Sequence, residues 1–154
     1  LAHLRGWFNL SANACYETIY PDAPRLNQGG DFWLTVSMGE GLFDREGQEG
    51  GGRAQCWEHV DIDVTAFVRI KKDRTNADTL LLTDPRRGLL SLKRQILSAM
   101  AGVDLTTNGE PLLIEGCAAR SAGRPLWDAQ QGLGWITLTF ALAYWWNLDT
   151  REPI

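Results

Sequence analysis

The stretch from Cys56 to Ile70, CWEHVDIDVTAFVRI, alternates without a break. Val60, Ile62, Val64, Ala66, Val68 and Ile70 take every second position, and His59, Asp61, Asp63, Thr65, Phe67 and Arg69 take those between. A period of two belongs to a β-strand, whose successive side chains leave opposite faces, and not to a helix of 3.6 residues per turn. One face of this strand is apolar and packs on a core. The other carries His59, Asp61 and Asp63 in a row. A chain built on such a strand folds as a sheet whose second face is solvated, catalytic or closed by a neighbour.

A second long run, WITLTFALAYWWNL at 135–148, has the same period. Ile136, Leu138, Phe140, Leu142, Tyr144 and Trp146 point one way; Trp135, Thr137, Thr139, Ala141, Ala143 and Trp145 point the other. That second face is mostly small and uncharged, which suits cover by a helix or another subunit. DFWLTVSM at 31–38 alternates too, with Phe32, Leu34, Val36 and Met38 on one side. PLLIEGCAARS at 111–121 reads as a further strand, with Leu113, Glu115 and Cys117 sharing a face. GEGLFDREGQEGGGRA at 39–54 has too few apolar residues to offset its own ordering entropy. It is expected to be a long flexible loop between two strands of one sheet, able to order against a neighbour. AGRPLWDAQQGLG is expected to be a second loop.

Helix signals gather in TDPRRGLLSLKRQILSAMAG, where Asp84 can cap, Pro85 suits the first helical position and Gly102 stands past the end. Leu89, Leu92, Ile96 and Met100 form one stripe; Leu90, Leu97 and Ala101 form an adjoining one, with Lys93 between. So wide an arc predicts burial against more than one surface, with Lys93 snorkelling or paired. LAHLRGWFNL at the start reads as the last turns of a helix or a loose terminus, and CYETIY runs into Pro21 and Pro24, which stop regular structure. Clustered strands with one strong helix argue for an α+β fold: a mostly antiparallel twisted sheet of about four to five strands with one main helix packed on one face. A chain of 154 residues is expected to form a single domain.

A net charge of −4 lacks the electrostatic footprint of a nucleic-acid binder. Cys15, Cys56 and Cys117 are odd in number and widely spaced, which is no disulfide framework and favours a reducing compartment during folding. There is no apolar run of about 18 residues, so no membrane span is expected. The sequence begins at Leu1 and not at a methionine, so no targeting argument rests on this end. Seven tryptophans exceed what a core of this size needs, and aromatics of that kind serve interfaces as well as cores.

The His59, Asp61, Asp63 row is the one candidate for chemistry, since imidazole with two carboxylates suits Fe, Mn or Zn. Cys56 invites a Cys-x-x-His reading with His59, but on a strand the two face opposite ways, and His3 is the only other histidine. Structural zinc needs four ligands, usually in closely spaced pairs. The chain has no Gly-x-Ser-x-Gly elbow, and GQEGGGRA lacks the Gly-Lys-Ser/Thr of a phosphate loop. Nothing singles out a carboxylate pair for glycoside chemistry. The expectation is a protein that is not an enzyme and holds no cofactor or metal.

The order of these parts resembles the tail terminator (tail completion) proteins of long-tailed bacteriophages. YPDAP, FWLTVSMGE, GQEGGGRA, WEHVDIDVTAFVRI, DPRRGLLSLKRQILSAMAG, LLIEGCAARS and GWITLTFALAYWWNL follow one another as in that family, across nearly the full chain. The family's N-terminal helix is reduced here to LAHLRGWFNL. The resemblance implies a structural virion protein of the tail or neck, assembled in the host cytoplasm as a hexameric ring on the last ring of the tail tube. Such a ring ends tube growth and gives the head connector a surface to dock on. Implied partners are further copies of the chain, the tail-tube protein and the head–tail connector or adaptor, with genomic DNA passing through unbound and no membrane involved. On that reading His59, Asp61, Asp63 and Arg69 face the channel or a neighbouring subunit. Glu46, Gln48, Glu49, Arg53, Trp135 and Trp145 would then make contacts between subunits or to the tube. The rival readings are another neck or tail component (a head-completion, connector-adaptor or tail-tube protein), a small metal-dependent enzyme using His59, Asp61 and Asp63, and a monomeric binding module with tryptophans as its platform.

Overall fold

The computed structural model describes residues 1–18, 32–44, 55–69, 88–101, 103, 106–107, 110–111, 117–147 and 152–153. In chain order they form α1 (Ala2–Phe8), β1 (Cys15–Glu17), β2 (Phe32–Asp44), β3 (Gln55–Arg69), α2 (Leu89–Met100), β4 (Thr106–Thr107), β5 (Glu110–Pro111), β6 (Ala118–Ala122), β7 (Leu126–Asp128), β8 (Leu133–Asn147) and β9 (Glu152–Pro153). The two runs of strict alternation, β3 and β8, lie side by side and pair antiparallel over their whole length, from Gln55 opposite Asn147 to Arg69 opposite Leu133. The register aligns the two apolar sets, Val64 facing Leu138 and Ala66 facing Ile136, so the hydrophobic pattern and the pairing specify each other.

Around this pair the main sheet runs β1-β2-β3-β8-β6, with β7 and β9 also bonded to β8, while β4 and β5 pair separately. The fold mixes α and β as the alternation and the helix signals predict, but the sheet holds seven described strands, more than the four to five expected. Short strands account for the excess: β1, β7 and β9 are too brief for a period of two to register. The described pairings in this sheet are antiparallel except that of β1 with β2, which is parallel.

Three boundaries differ from the sequence reading. β2 does not stop at Met38 but continues to Asp44, so residues 39–44 are strand and not loop. The register jumps between Met38 and Gly41, setting Gly39 and Glu40 against the single residue Asp61: a β-bulge that lets the strand cross a Gly-Glu interruption. A side chain on Gly39 would come within 3.2 Å of the Asp61 Cβ and carbonyl oxygen, which is why glycine suits the bulge. The rest of the expected loop, 45–54, lies outside the described residues. Second, β7 forms inside the segment expected to be a loop and makes a hairpin with β8. Asp128 Oδ1 accepts from the Gln130 and Gln131 amides, and Gly132 takes a φ of 66°, closing a turn that Asx chemistry and a left-handed glycine both favour. Third, α2 is capped by Gly88, four residues after the expected Asp84, with extended backbone at that cap. Residues 84–87 lie outside the description, as do residues 112–116 of the strand expected from Pro111 onward.

The core fills the apolar face of β2, β3 and β8. Leu34, Val64, Ala66, Ile136, Leu138 and Phe140 meet Leu89, Leu92, Ile96, Ala99 and Met100 of α2. Each wholly buried Leu, Ile or Val contributes about 1.5–3 kcal/mol relative to leaving it in water. Only one of the three residues of the second apolar stripe expected on α2 reaches the core. Leu97 packs partly against the core, whereas Leu90 and Ala101 are exposed, so the helix buries one stripe and not a wide arc.

A second helix, α1, joins α2. With seven residues it is too short to be stable alone, so tertiary contacts must hold it. Leu4 enters the core, His3 Nε2 donates to the Ala99 carbonyl at 2.7 Å, Arg5 Nε donates to the Cys15 carbonyl at 2.8 Å, and Phe8 meets Phe32 edge-on at 6.1 Å. Asn9, in left-handed backbone, ends it, and the Leu10 amide bonds back to the Arg5 carbonyl.

Candidate functional site

The second face of the sheet carries every residue singled out on β3. From one end to the other its rows are Trp33–Phe67–Trp135, Thr35–Thr65–Thr137, Ser37–Asp63–Thr139, then Asp61–Ala141–Ala118, and His59 beside Ala143. The face therefore grades from aromatic, through hydroxyl, to acidic along the strands.

At the aromatic end Trp33, Phe67 and Leu133 form a small core of their own, with Ala14 and Trp135 packed partly against it. Arg69, expected to face a channel, lies with its guanidinium carbon 5.4 Å from the centre of the Trp33 ring. A cation over an indole face contributes about 0.5–1 kcal/mol at an exposed site. Among the described residues no acceptor lies within reach of the buried Trp33 Nε1. Trp135, expected at a contact, is half-buried and rests 6.4 Å from Phe67, ring centre to ring centre.

In the hydroxyl rows Thr35, Ser37 and Thr65 are all buried, and Thr65 Oγ1 shares a hydrogen bond of 2.9 Å with Thr137 Oγ1. One row further, Thr139 Oγ1 donates to Asp63 Oδ1 at 2.6 Å. Asp61 is held from the far side of β8. Arg120, on β6, donates through one terminal nitrogen to both Asp61 carboxylate oxygens, at 2.8 and 2.7 Å. β8 runs between their strands: Asp61 is opposite Ala141 and Ala141 opposite Ala118, while Arg120 sits two residues further along β6, at the bulge between Ala119 and Ser121, and reaches across β8 to the carboxylate. The pair stays open to water, with side chains 59% and 32% exposed. His59 is exposed at the end of the row.

The row does not converge. Its side chains point along one face at successive two-residue steps, and each carboxylate is engaged by a different strand. Among the described residues no three His, Cys, Asp or Glu side chains come together in a way that could hold a metal ion. Cys15 and Cys117 are free thiols; burial pushes both above the ordinary thiol value, which disfavours the thiolate that a nucleophile or metal ligand needs.

Of the other expected contact residues, Glu46, Gln48, Glu49 and Arg53 lie outside the described residues. Trp145 is in β8, paired in register with Trp57. The sequence reading missed Arg120 and the exposure of Trp127 (63%), Met38 (61%) and Trp7 (54%). Arg120 had no local signal, since its partner is 59 positions away. No protein-family model matches the chain, and no curated protein matches it.

Proposed function

We propose that this chain is a structural virion protein of the tail-terminator kind. It assembles with copies of itself into a closed ring at the head-proximal end of a phage tail tube, where it ends tube growth and offers the head connector or adaptor a docking surface. The observation that carries this reading is the engagement of the acidic row: Asp61 is taken by Arg120 and Asp63 by Thr139, which makes the face a braced polar wall and not a converging site. Arg120 neutralises Asp61, so the repulsion that would let duplex DNA traverse a passage without adhering falls to Asp63 and to the chain's net charge of −4. The tail-tube protein below and the connector above are the partners, and the virion neck is the place of action. No cofactor is assigned.

Native mass spectrometry of the purified chain, imaged in parallel by negative stain, tests the reading. A closed ring of about six copies, formed by heterologous contacts that close by rotation, is the expected result. Open filaments would point to a tail-tube protein instead. A monomer carrying one tightly bound metal, lost on His59→Ala, would overturn the proposal in favour of a small metal-dependent enzyme.

A further inference from the structure

We infer that a second copy of this chain docks head to tail, setting its Trp127 and Arg124 against Trp7 and Glu17 of the first. The contact rests on the ring reading for its closure, and it names the surfaces that build the ring. Trp7 is 54% exposed, Trp127 is 63% exposed, and Leu126 beside it is exposed too. Large aromatics left in water on a folded chain are common anchors of interfaces. These stand at opposite margins of the main sheet: β7 borders β8 and β1 borders β2, with β3 between, so four strand spacings, roughly 19 Å, separate β1 from β7. α1 belongs to the β1 margin, since Arg5 holds the Cys15 carbonyl and Phe8 meets Phe32. Unlike patches on opposite margins suit a heterologous contact, the kind that builds rings.

The two margins also agree in level along the strands. Trp127 is opposite Gly134, Gly134 opposite Val68, and Val68 opposite Phe32, so Trp127 ends the register row whose other end lies against Phe8 of α1. Further along, the Gly123 amide, next to Arg124, bonds the Thr137 carbonyl, and the register leads from Thr137 through Thr65 and Thr35 to Tyr16, next to Glu17. A copy laid beside the first, with no slide along the strands, therefore brings Trp127 to the level of α1 and Arg124 to that of Glu17. Without such a slide the contact closes by rotation about an axis along the strands; with one it would climb into a helix. Glu17 and Arg124 are both exposed, whereas Arg5 is engaged on the Cys15 carbonyl and Asp128 on the Gln130 and Gln131 amides. The β1 margin thus offers an anion where the β7 margin offers a cation, which favours unlike margins over like ones.

The test is sedimentation velocity with native mass spectrometry on the full chain and its variants. Trp7→Ala and Trp127→Ala are each expected to weaken self-association about thirtyfold. Mixed one to one, they should give a dimer and nothing larger, since each pair can form a single contact in which both indoles survive. Glu17→Arg and Arg124→Glu should each weaken assembly as well, and the double variant Glu17→Arg/Arg124→Glu should restore it. These charge changes fall on exposed positions and keep the test sound should Trp7→Ala unravel α1. Variants that keep the parent's oligomer overturn the inference. So do a mixture that stays monomeric or grows past a dimer, a double charge variant that does not recover, and a parent that never self-associates. A closed ring indifferent to all four substitutions overturns this contact and leaves the ring reading standing. An open chain of copies that Trp127→Ala dissolves upholds the contact and overturns the terminator reading.

Discussion

Asp63 and Thr139 offer the sharpest test of whether the acidic row braces the sheet. The bond from Thr139 Oγ1 to Asp63 Oδ1 is 2.6 Å long and half-buried, and it joins β3 to β8. A hydrogen bond to a charged group contributes about 1.5–3 kcal/mol, and partial exposure puts this one near the lower limit. Asp63→Ala should therefore lower unfolding stability by about 1.5 kcal/mol, and Thr139→Val by about 1 kcal/mol, leaving Asp63 to water. If the bond carries the effect, the double variant loses less than the sum, with a coupling of about 1 kcal/mol. Urea denaturation followed by tryptophan fluorescence measures all four corners of the cycle, with the slope of each transition checked for constancy. A coupling below about 0.3 kcal/mol would mean the two residues act independently, and the brace would not exist.

Leu92, wholly buried between α2 and the sheet, should cost about 2–5 kcal/mol when replaced by alanine, read as a fall in the urea midpoint. Gly132→Ala forces a side chain into left-handed backbone at the β7–β8 turn and should cost about 1 kcal/mol, seen as a lower melting temperature. Burial raises the thiol pKa of Cys15 and Cys117 above the unfolded value of 9.0. The unfolded chain therefore loses these protons first as pH rises, so stability is level below that value and falls as pH climbs from it toward the folded values. Denaturation midpoints measured on either side of the unfolded value check this, and replacing both cysteines with alanine should flatten the decline.

The long strands were legible because a period of two, sustained through Val60 to Val68 and Ile136 to Leu142, leaves no competing reading. Their mutual register was not written anywhere locally, yet it follows once both apolar sets must face one core. What escaped was structure made by exceptions. β2 runs on past Gly39 because a bulge absorbs the interruption, and glycine beside glutamate looks like a loop to any local measure. β7 is three residues squeezed between Pro125 and an Asx turn, too short for a period. At the site, the composition of the row was plain from the alternation, but not what holds it. Arg120 reaches Asp61 only because β6 and β3 flank the same strand, a fact of topology that 59 intervening positions conceal.

The position of β8 in the chain sets how the protein must be born. Thr65 and Thr137, bonded partners in adjacent strands, are 72 residues apart, so β3 can pair with β2 early but waits for β8 until most of the described chain has left the ribosome. Pairings of such long range close slowly, and an open strand edge is hazardous in the meantime. During that wait Asp61 and Asp63 stand on the open side of β3 without Arg120 or Thr139. Two nascent chains aligned through the same strand would set carboxylate against carboxylate, a destabilising arrangement. The residues that brace the finished sheet would thus, in the nascent chain, count against pairing of β3, one of its two longest strands, with the same strand of a sibling.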